Sequence, residues 1–255
     1  MNAEARRIWD ANAAWWDDRI GDGNDFQTVL IEPAMGRLLG DVAGQTVLDV
    51  GCGAGRFARQ LAERGATVTA GDFSTAFLAR ARERTPAALP VTYQPLDATD
   101  PAALRALGTG GFDAVTEVMM LMDLATLAPL FQAIPALLKP GGRFVFCVSH
   151  PCFHTVNTHR FVEDILVDGR CTARAGVTVT GYLTPTAVRG EGIVGQPETQ
   201  YYFDRPLSLL FDAGFRAGLT VTGLEEPAFP TVENRWRLHW PTEIPPVLAV
   251  RMGVK

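Results

Sequence analysis

After residue 45, short apolar runs alternate with stretches whose apolar positions recur every third or fourth residue. The runs read as buried strands and the periodic stretches as helices, because side chains repeat roughly every 2 residues in a strand and about every 3.6 in a helix. Strands are expected at Thr46–Val50, Thr67–Asp72, Pro90–Leu96, Phe112–Val118 and Arg143–Ser149. Helices are expected at Arg56–Arg64, at Thr75–Arg84 behind a Ser74 N-cap, and after Asp100-Pro101, which supplies a capping carboxylate and a first-turn proline. Leu124, Leu127, Leu130, Phe131, Ile134, Leu137 and Leu138 form a further helical stripe that Pro129 and Pro135 kink or interrupt. Lys139-Pro-Gly-Gly142 reads as a turn into the fifth strand. The tail repeats the pattern with a helix at Pro206–Ala213 stopped by Gly214, and strands at Leu219–Leu224 and Pro246–Met252. Such alternation predicts an α/β protein, a parallel sheet covered on both faces.

Two regions fall outside the alternation. Residues 1–45 read as helical and hold Trp9, Trp15, Trp16 and Phe26. Residues 150–205 carry strand-like alternation at Val177–Tyr182 among several Gly and Pro. A structureless loop of that length is uncommon in a compact domain, so an ordered insertion is expected.

Composition narrows the setting. The 255 residues suit one domain with additions, and no apolar run approaches the roughly 20 residues that span a bilayer. The first residues lack the apolar centre of a signal peptide, which makes a cytoplasmic location the expectation. A net charge of -5 without a Lys/Arg block argues against nucleic acid or an anionic membrane as partner. Cys52, Cys147, Cys152 and Cys171 form no C-x-x-C pair. His150, His154 and His159 lack an H-E-x-x-H pattern, so no metal is expected.

The candidate chemistry centres on Val47-Leu-Asp-Val-Gly-Cys-Gly-Ala-Gly55. Asp49 stands near the carboxyl end of an apolar strand, and Gly51, Gly53 and Gly55 let the backbone turn sharply and approach a ligand. A dinucleotide fingerprint starting at Gly51 needs Gly or Ala at position 56, where Arg56 stands. An acid at position 49 suits a cationic ligand better than an anionic pyrophosphate.

This stretch resembles the first motif, (D/E)-x-G-x-G-x-G, of the class I S-adenosylmethionine-dependent methyltransferases, and the likeness is closest to the small-molecule type 11 group. The resemblance implies a Rossmann-like, seven-stranded, mostly parallel sheet with an antiparallel last strand. It implies S-adenosyl-L-methionine as cofactor, bound by Asp49, Gly51, Cys52, Gly53 and Gly55. Asp72-Phe73 matches the second motif, whose acid accepts from ribose hydroxyls, and Leu96-Asp97-Ala98 the third, whose acid accepts from the adenine amine. The turn at Leu138–Gly142 resembles the one before strand five. Glu117-Val-Met-Met120 stands where base-methylating members carry an N-P-P-Y type segment, so a small-molecule acceptor is expected.

Four segments follow: residues 1–45 as a helical lid with Trp16 over the cofactor, 46–149 as the cofactor-binding core, 150–205 as a substrate-capping insertion, and 206–255 as the rest of the sheet. Glu117 and His150 fall at carboxyl ends of strands on the crevice edge and are the candidate general bases, Glu117 also as a cofactor-binding residue. Methyl transfer to an O or N nucleophile is the expected reaction. Two other readings stay open: a non-catalytic S-adenosylmethionine-binding regulatory protein, and an NAD(P)-linked oxidoreductase. The oligomeric state is left open as well.

Overall fold

The structure is a computed structural model that describes residues 2–230, 241 and 243–254. Helix α1 (Asn2–Ile20) is followed by a π-helical segment (Phe26–Ile31) that runs directly into α2 (Glu32–Leu39). The alternating core then comprises β1 (Thr46–Val50), α3 (Arg56–Glu63), β2 (Thr67–Asp72), α4 (Thr75–Arg84), β3 (Val91–Pro95), α5 (Pro101–Ala106) and β4 (Phe112–Val118). A 3-10 turn (Leu121–Asp123), α6 (Ala128–Leu137) and β5 (Leu138–Ser149) complete it. The insertion holds β6 (Thr158–Val167), β7 (Arg170–Val179), β8 (Thr186–Gly190) and β9 (Gln200–Asp204). Helix α7 (Leu207–Arg216), β10 (Leu219–Glu225) and β11 (Val247–Val254) return to the sheet.

The main sheet has seven strands in the order β10-β11-β5-β4-β1-β2-β3, and only β11 runs antiparallel to its neighbours. This is the architecture expected from the sequence. The chain winds from β1 outward through β2 to β3, then crosses back to β4 on the other side of β1, which opens a crevice at the carboxyl ends of β1 and β4. Register aligns the edge of that crevice, since Val50 lies opposite Gly71 on β2 and Glu117 on β4.

Strand alternation divides the core between two faces. Leu48 and Val50 join Leu104, Phe131, Ile134 and Phe146 under α5, α6 and α7. Val47, Val68 and Ala114 pack with Met35, Ala58 and Leu61 of α2 and α3 on the other face. Phe131 meets Phe144 and Phe146 edge-on, with ring centroids 5.5 and 6.0 Å apart.

Local chemistry accounts for the element ends. Ser74 Oγ accepts from the Phe77 amide at 3.2 Å and Asp100 Oδ1 from the Ala102 amide at 2.8 Å, so both expected caps form. Three expectations differ in detail. β5 begins at Leu138, opposite Phe112, and its ladder breaks over the four residues before Arg143, so Lys139–Gly142 is an irregularity within the strand. Of the stripe from Leu124, only the part from Leu130 to Leu137 is helical: Leu124 and Leu127 precede a helix that starts at Ala128, with Pro129 in its first turn, and Leu138 already belongs to β5. Gly214 does not end α7: it lies buried inside the helix, where a Cβ would meet Met252 Cε at 2.6 Å. Its service is close packing, and Gly218, with φ of 79°, follows the helix end.

Candidate functional site

At the carboxyl end of β1, Gly51, Gly53 and Gly55 carry the chain into α3 with φ of 72°, 52° and 75°. A Cβ disfavours these left-handed conformations, so the turn itself requires glycine. The amides of Gly51 and Cys52 donate to Gly71 O at 2.8 and 3.1 Å, which ties the turn to β2. The Gly53 amide donates to Asp72 Oδ2 at 2.9 Å and the Ser74 amide to Asp72 Oδ1 at 2.8 Å. One carboxylate thereby fixes the glycine turn against the start of α4.

The turn borders a cavity of about 240 Å³. Asp49, Gly51, Cys52, Gly53, Asp72, Phe73, Asp97 and Ala98 line it, so the structure brings these sequence-predicted residues together. Trp9 and Trp16 line it from α1, with ring centroids 5.4 Å apart, and Tyr201 and Phe203 line it from β9. Met119, Met120 and Asp123, from the segment after β4, close another side. Gly55 lies behind the turn as the N-cap of α3, packed under Tyr93, and does not line the cavity.

The electrostatics are acidic. Burial raises Asp49 to about 7, although the Thr116 hydroxyl donates to Oδ1 at 2.8 Å, and nearby Asp72 adds to the rise. Burial raises Asp72 to about 6 against the backbone donors of Ser74, Gly53 and Phe73. Burial also lifts Asp123 well above the ordinary carboxylate range, with Glu117 and Asp72 contributing. Asp97 Oδ1 accepts from the Thr99 amide at 2.9 Å and its hydroxyl at 2.6 Å. The lining arginines are engaged: Arg56 Nε donates to Glu32 at 2.6 Å and Arg59 to Ala54 O at 2.7 Å. Among the described residues, Asp49 Oδ2, Asp123 Oδ1 and Trp16 Nε1 are buried without a hydrogen-bond partner, and all three side chains belong to residues that line this cavity. Unpaired buried polar atoms are costly, and three of the six among the described residues belong to this cavity, the others being Glu117 Oε2, Arg143 Nε and Thr186 Oγ1.

The two candidate bases stand elsewhere. Glu117 is fully buried and does not line the cavity. Its Oε1 accepts from the Met120 amide and, at 3.1 Å, from the Leu121 amide, so it caps the turn after β4; burial raises it to about 8. His150 is 1% exposed and is also absent from the lining. The Cys152 amide donates to Nδ1 at 3.1 Å, so the proton sits on Nε2, 2.8 Å from Glu226 Oε1. Burial lowers the imidazole pKa, and its lone pair is already used. Both residues hold local structure because each finds backbone partners within four positions, which spacing along strands does not reveal.

Asp123, Tyr201 and Phe203 are site residues that the sequence reading passed over. Asp123 had a signal, an acid just past the carboxyl end of strand four. Tyr201 and Phe203 alternate along β9, but nothing in the sequence alone places that strand beside α1.

Residues 48–146 match a family described as Methyltransferase domain. The ubiquinone biosynthesis O-methyltransferase of Pseudomonas paraeruginosa is 36% identical over 135 residues, 51% of this chain and 55% of that protein. The demethylmenaquinone methyltransferase of Tropheryma whipplei is 35% identical over 116 residues, 45% of this chain and 46% of that protein. The chain thus spans about half the length of the curated relatives it matches. An S-adenosylmethionine dependent methyltransferase from Mesorhizobium loti has a solved structure similar to this one, with a TM-score of 0.69 and 26% identity, covering 86% of this chain and 95% of that one. The family match stops at Phe146, so Trp9, Trp16, Tyr201 and Phe203 lie outside it.

Proposed function

We propose that this chain, whose residues 48–146 form a class I S-adenosylmethionine-dependent methyltransferase domain, binds S-adenosylmethionine in the cavity and methylates an oxygen or nitrogen of a small molecule there. The observation that carries this reading is the acidic, cation-poor cavity at the glycine turn, with Asp49 Oδ2 buried and unpartnered. Such a site welcomes a ligand bearing an ammonium and a sulfonium and opposes the pyrophosphate of a dinucleotide.

S-adenosylmethionine, when bound, supplies a methyl group already activated on a sulfonium. In this reading Asp49 receives the ammonium of the ligand. Asp72 keeps its two amide donors and still has lone pairs for ribose hydroxyls, since a carboxylate offers about four acceptor sites. Asp97 serves the adenine amine. Trp9, Trp16, Tyr201 and Phe203 exclude water from the reacting atoms and hold the acceptor in line. The capping role within the insertion falls to the β8–β9 ribbon.

Calorimetry with S-adenosylmethionine and with NADH tests the reading. S-adenosylmethionine should bind and NADH should not. Asp72→Ala should weaken binding about ten- to a hundredfold through lost charge-assisted hydrogen bonds. Preference for NADH, or an Asp72→Ala protein that is folded and binds as before, would overturn the assignment.

A further inference from the structure

We propose that Asp123 is the acceptor-binding residue of this cavity and that the acceptor is an amine carried on an apolar, aromatic-sized group. This rests on the methyltransferase reading and names the substrate class of the same site.

The backbone of Asp123 is held from several directions. It ends the 3-10 turn Leu121–Asp123, and its amide donates to Met120 O at 2.8 Å. Glu117 caps the same turn from β4. Arg205 donates to Leu121 O at 3.2 Å and also to Leu124 O, clamping both ends of the segment.

The side chain is aimed by the insertion. The Gly192 amide donates to Gln196 Oε1 at 2.8 Å, which fixes the Gln196 amide so that its Nε2 donates to Gln200 Oε1 at 3.2 Å. Gln200 therefore turns its own NH₂ away from Gln196, and its side chain stands close enough to Asp123 and Tyr202 to lower both against the rise that burial causes. Both glutamines are buried, at 6% and 3% exposure, so this polarity is enforced from the backbone outward. Asp123 keeps Oδ1 buried and unpartnered in a residue of the cavity wall. A buried carboxyl oxygen without a partner on the wall of the cavity marks Asp123 as a binding group.

Charge decides the class of acceptor. Of the two lining arginines, Arg56 is paired with Glu32 and Arg59 is held by Ala54 O, and neither is bonded to Asp123. A hydroxyl acceptor brings no positive charge that would favour the carboxylate form of Asp123, the form that can take a proton. An amine brings its own positive charge, and Trp9, Trp16, Tyr201 and Phe203 offer aromatic faces to it. Burial raises the pKa of the acid and lowers that of the amine, so the pair becomes neutral inside the cavity. The ammonium passes one proton to Asp123, which frees the nitrogen lone pair. That pair forms the new N–CH₃ bond as the S–CH₃ electrons return to sulfur, leaving a neutral thioether and a methylated ammonium. Asp123 releases its proton to solvent as the product departs.

The test uses the full chain saturated with S-adenosylhomocysteine, titrated calorimetrically with phenethylamine and with its neutral counterpart phenethyl alcohol. The amine should bind about ten- to a hundredfold tighter. Asp123→Asn should abolish that preference while leaving S-adenosylhomocysteine affinity unchanged, and Gln200→Leu should reduce it. Equal binding of amine and alcohol, no binding of the amine to the loaded protein, or an undiminished preference in Asp123→Asn would each overturn the inference and leave the methyltransferase reading standing. Failure of the wild-type chain to bind S-adenosylhomocysteine or S-adenosylmethionine would overturn that reading itself.

Discussion

Asp49 shows how one residue sets function against stability. Its folded pKa of about 7 exceeds the ordinary aspartate value of 3.8, because burial penalises the charged form. Between those values the folded state binds more protons than the unfolded state, so this group makes the ligand-free protein less stable as pH rises from about 4 to about 7. A difference of one in pKa corresponds to about 1.4 kcal/mol. Asp49→Asn keeps an oxygen for the Thr116 hydroxyl and removes the titration. The variant should melt higher than wild type at pH 8, by a gain on the order of 1–3 kcal/mol, and show no such gain near pH 4. It should also lose the stabilisation that S-adenosylmethionine confers on wild type, because the cation has lost its partner. Thermal shift across that pH range, with and without the cofactor, reads both effects, and a variant less stable than wild type at pH 8 would contradict the account. Asp49, Asp72 and Asp97 were legible in the sequence because strand ends and the glycine turn fix where they stand. Asp123 carried only its place just past strand four, because the residues that complete its surroundings, Tyr201 and Phe203, arrive from a distant segment.

Elements were legible where local chemistry alone decides them. β1, β2, β4 and α4 occupy the spans their apolar runs and caps predict. The departures occur where tertiary packing overrides a local signal, as at Gly214, where Met252 and Phe131 demand a side chain no larger than hydrogen. Helix α1 is the element whose placement was least readable, since its partners are scattered. Asp17, 3% exposed, pairs with Arg80 and Arg84 of α4, and Asp10 accepts from Ser74 Oγ at 2.6 Å. On its other side, Asn12 Nδ2 donates to Glu198 O at 2.8 Å and Asn12 Oδ1 accepts from the Glu198 amide at 2.9 Å. Buried Asn12 thus joins the insertion to a helix anchored on the core. Asn12→Ala should cost about 1–3 kcal/mol, because two backbone groups lose their partner. Hydrogen exchange should accelerate at the Glu198 amide and around Gln196–Gln200, while amides of β1 and β4 keep their protection relative to global stability. Unchanged exchange at Glu198 would show that α1 does not hold the insertion.

For the molecule as a whole, the insertion divides into a part that builds the cavity wall and a part that does not. Among the described residues no helix is long and apolar enough to cross a membrane. β8 and β9 pair with each other and bring Tyr201 and Phe203 to the cavity. β6 and β7 pair over ten positions, from Thr158 opposite Val179 to Val167 opposite Arg170, and none of their residues lines the cavity. Asp168 and Gly169 form the tip with φ of 49° and 75°, the left-handed pair that suits a two-residue hairpin turn. Val162 and Leu166 are 50% and 77% exposed, so the ribbon contributes little to the core. A two-stranded ribbon of this kind is marginal by itself. Its base is closed independently, since the Thr180 amide donates to Asn157 O at 3.1 Å. Replacing residues 158–179 with Gly-Gly should therefore leave the two ends where they are. The shortened chain should keep its cofactor affinity and lose only about 1–2 kcal/mol of stability, because the bonds between Thr155 and Thr158 and the contacts of Arg160 go with the ribbon. It should also keep any preference for an amine over an alcohol, because Gln196, Gln200 and Asp123 all lie outside the deleted segment. Denaturant melts and calorimetry on the shortened chain decide the matter. A large loss of stability or of cofactor binding would mean that the ribbon is part of the folded core, and that the cavity depends on it.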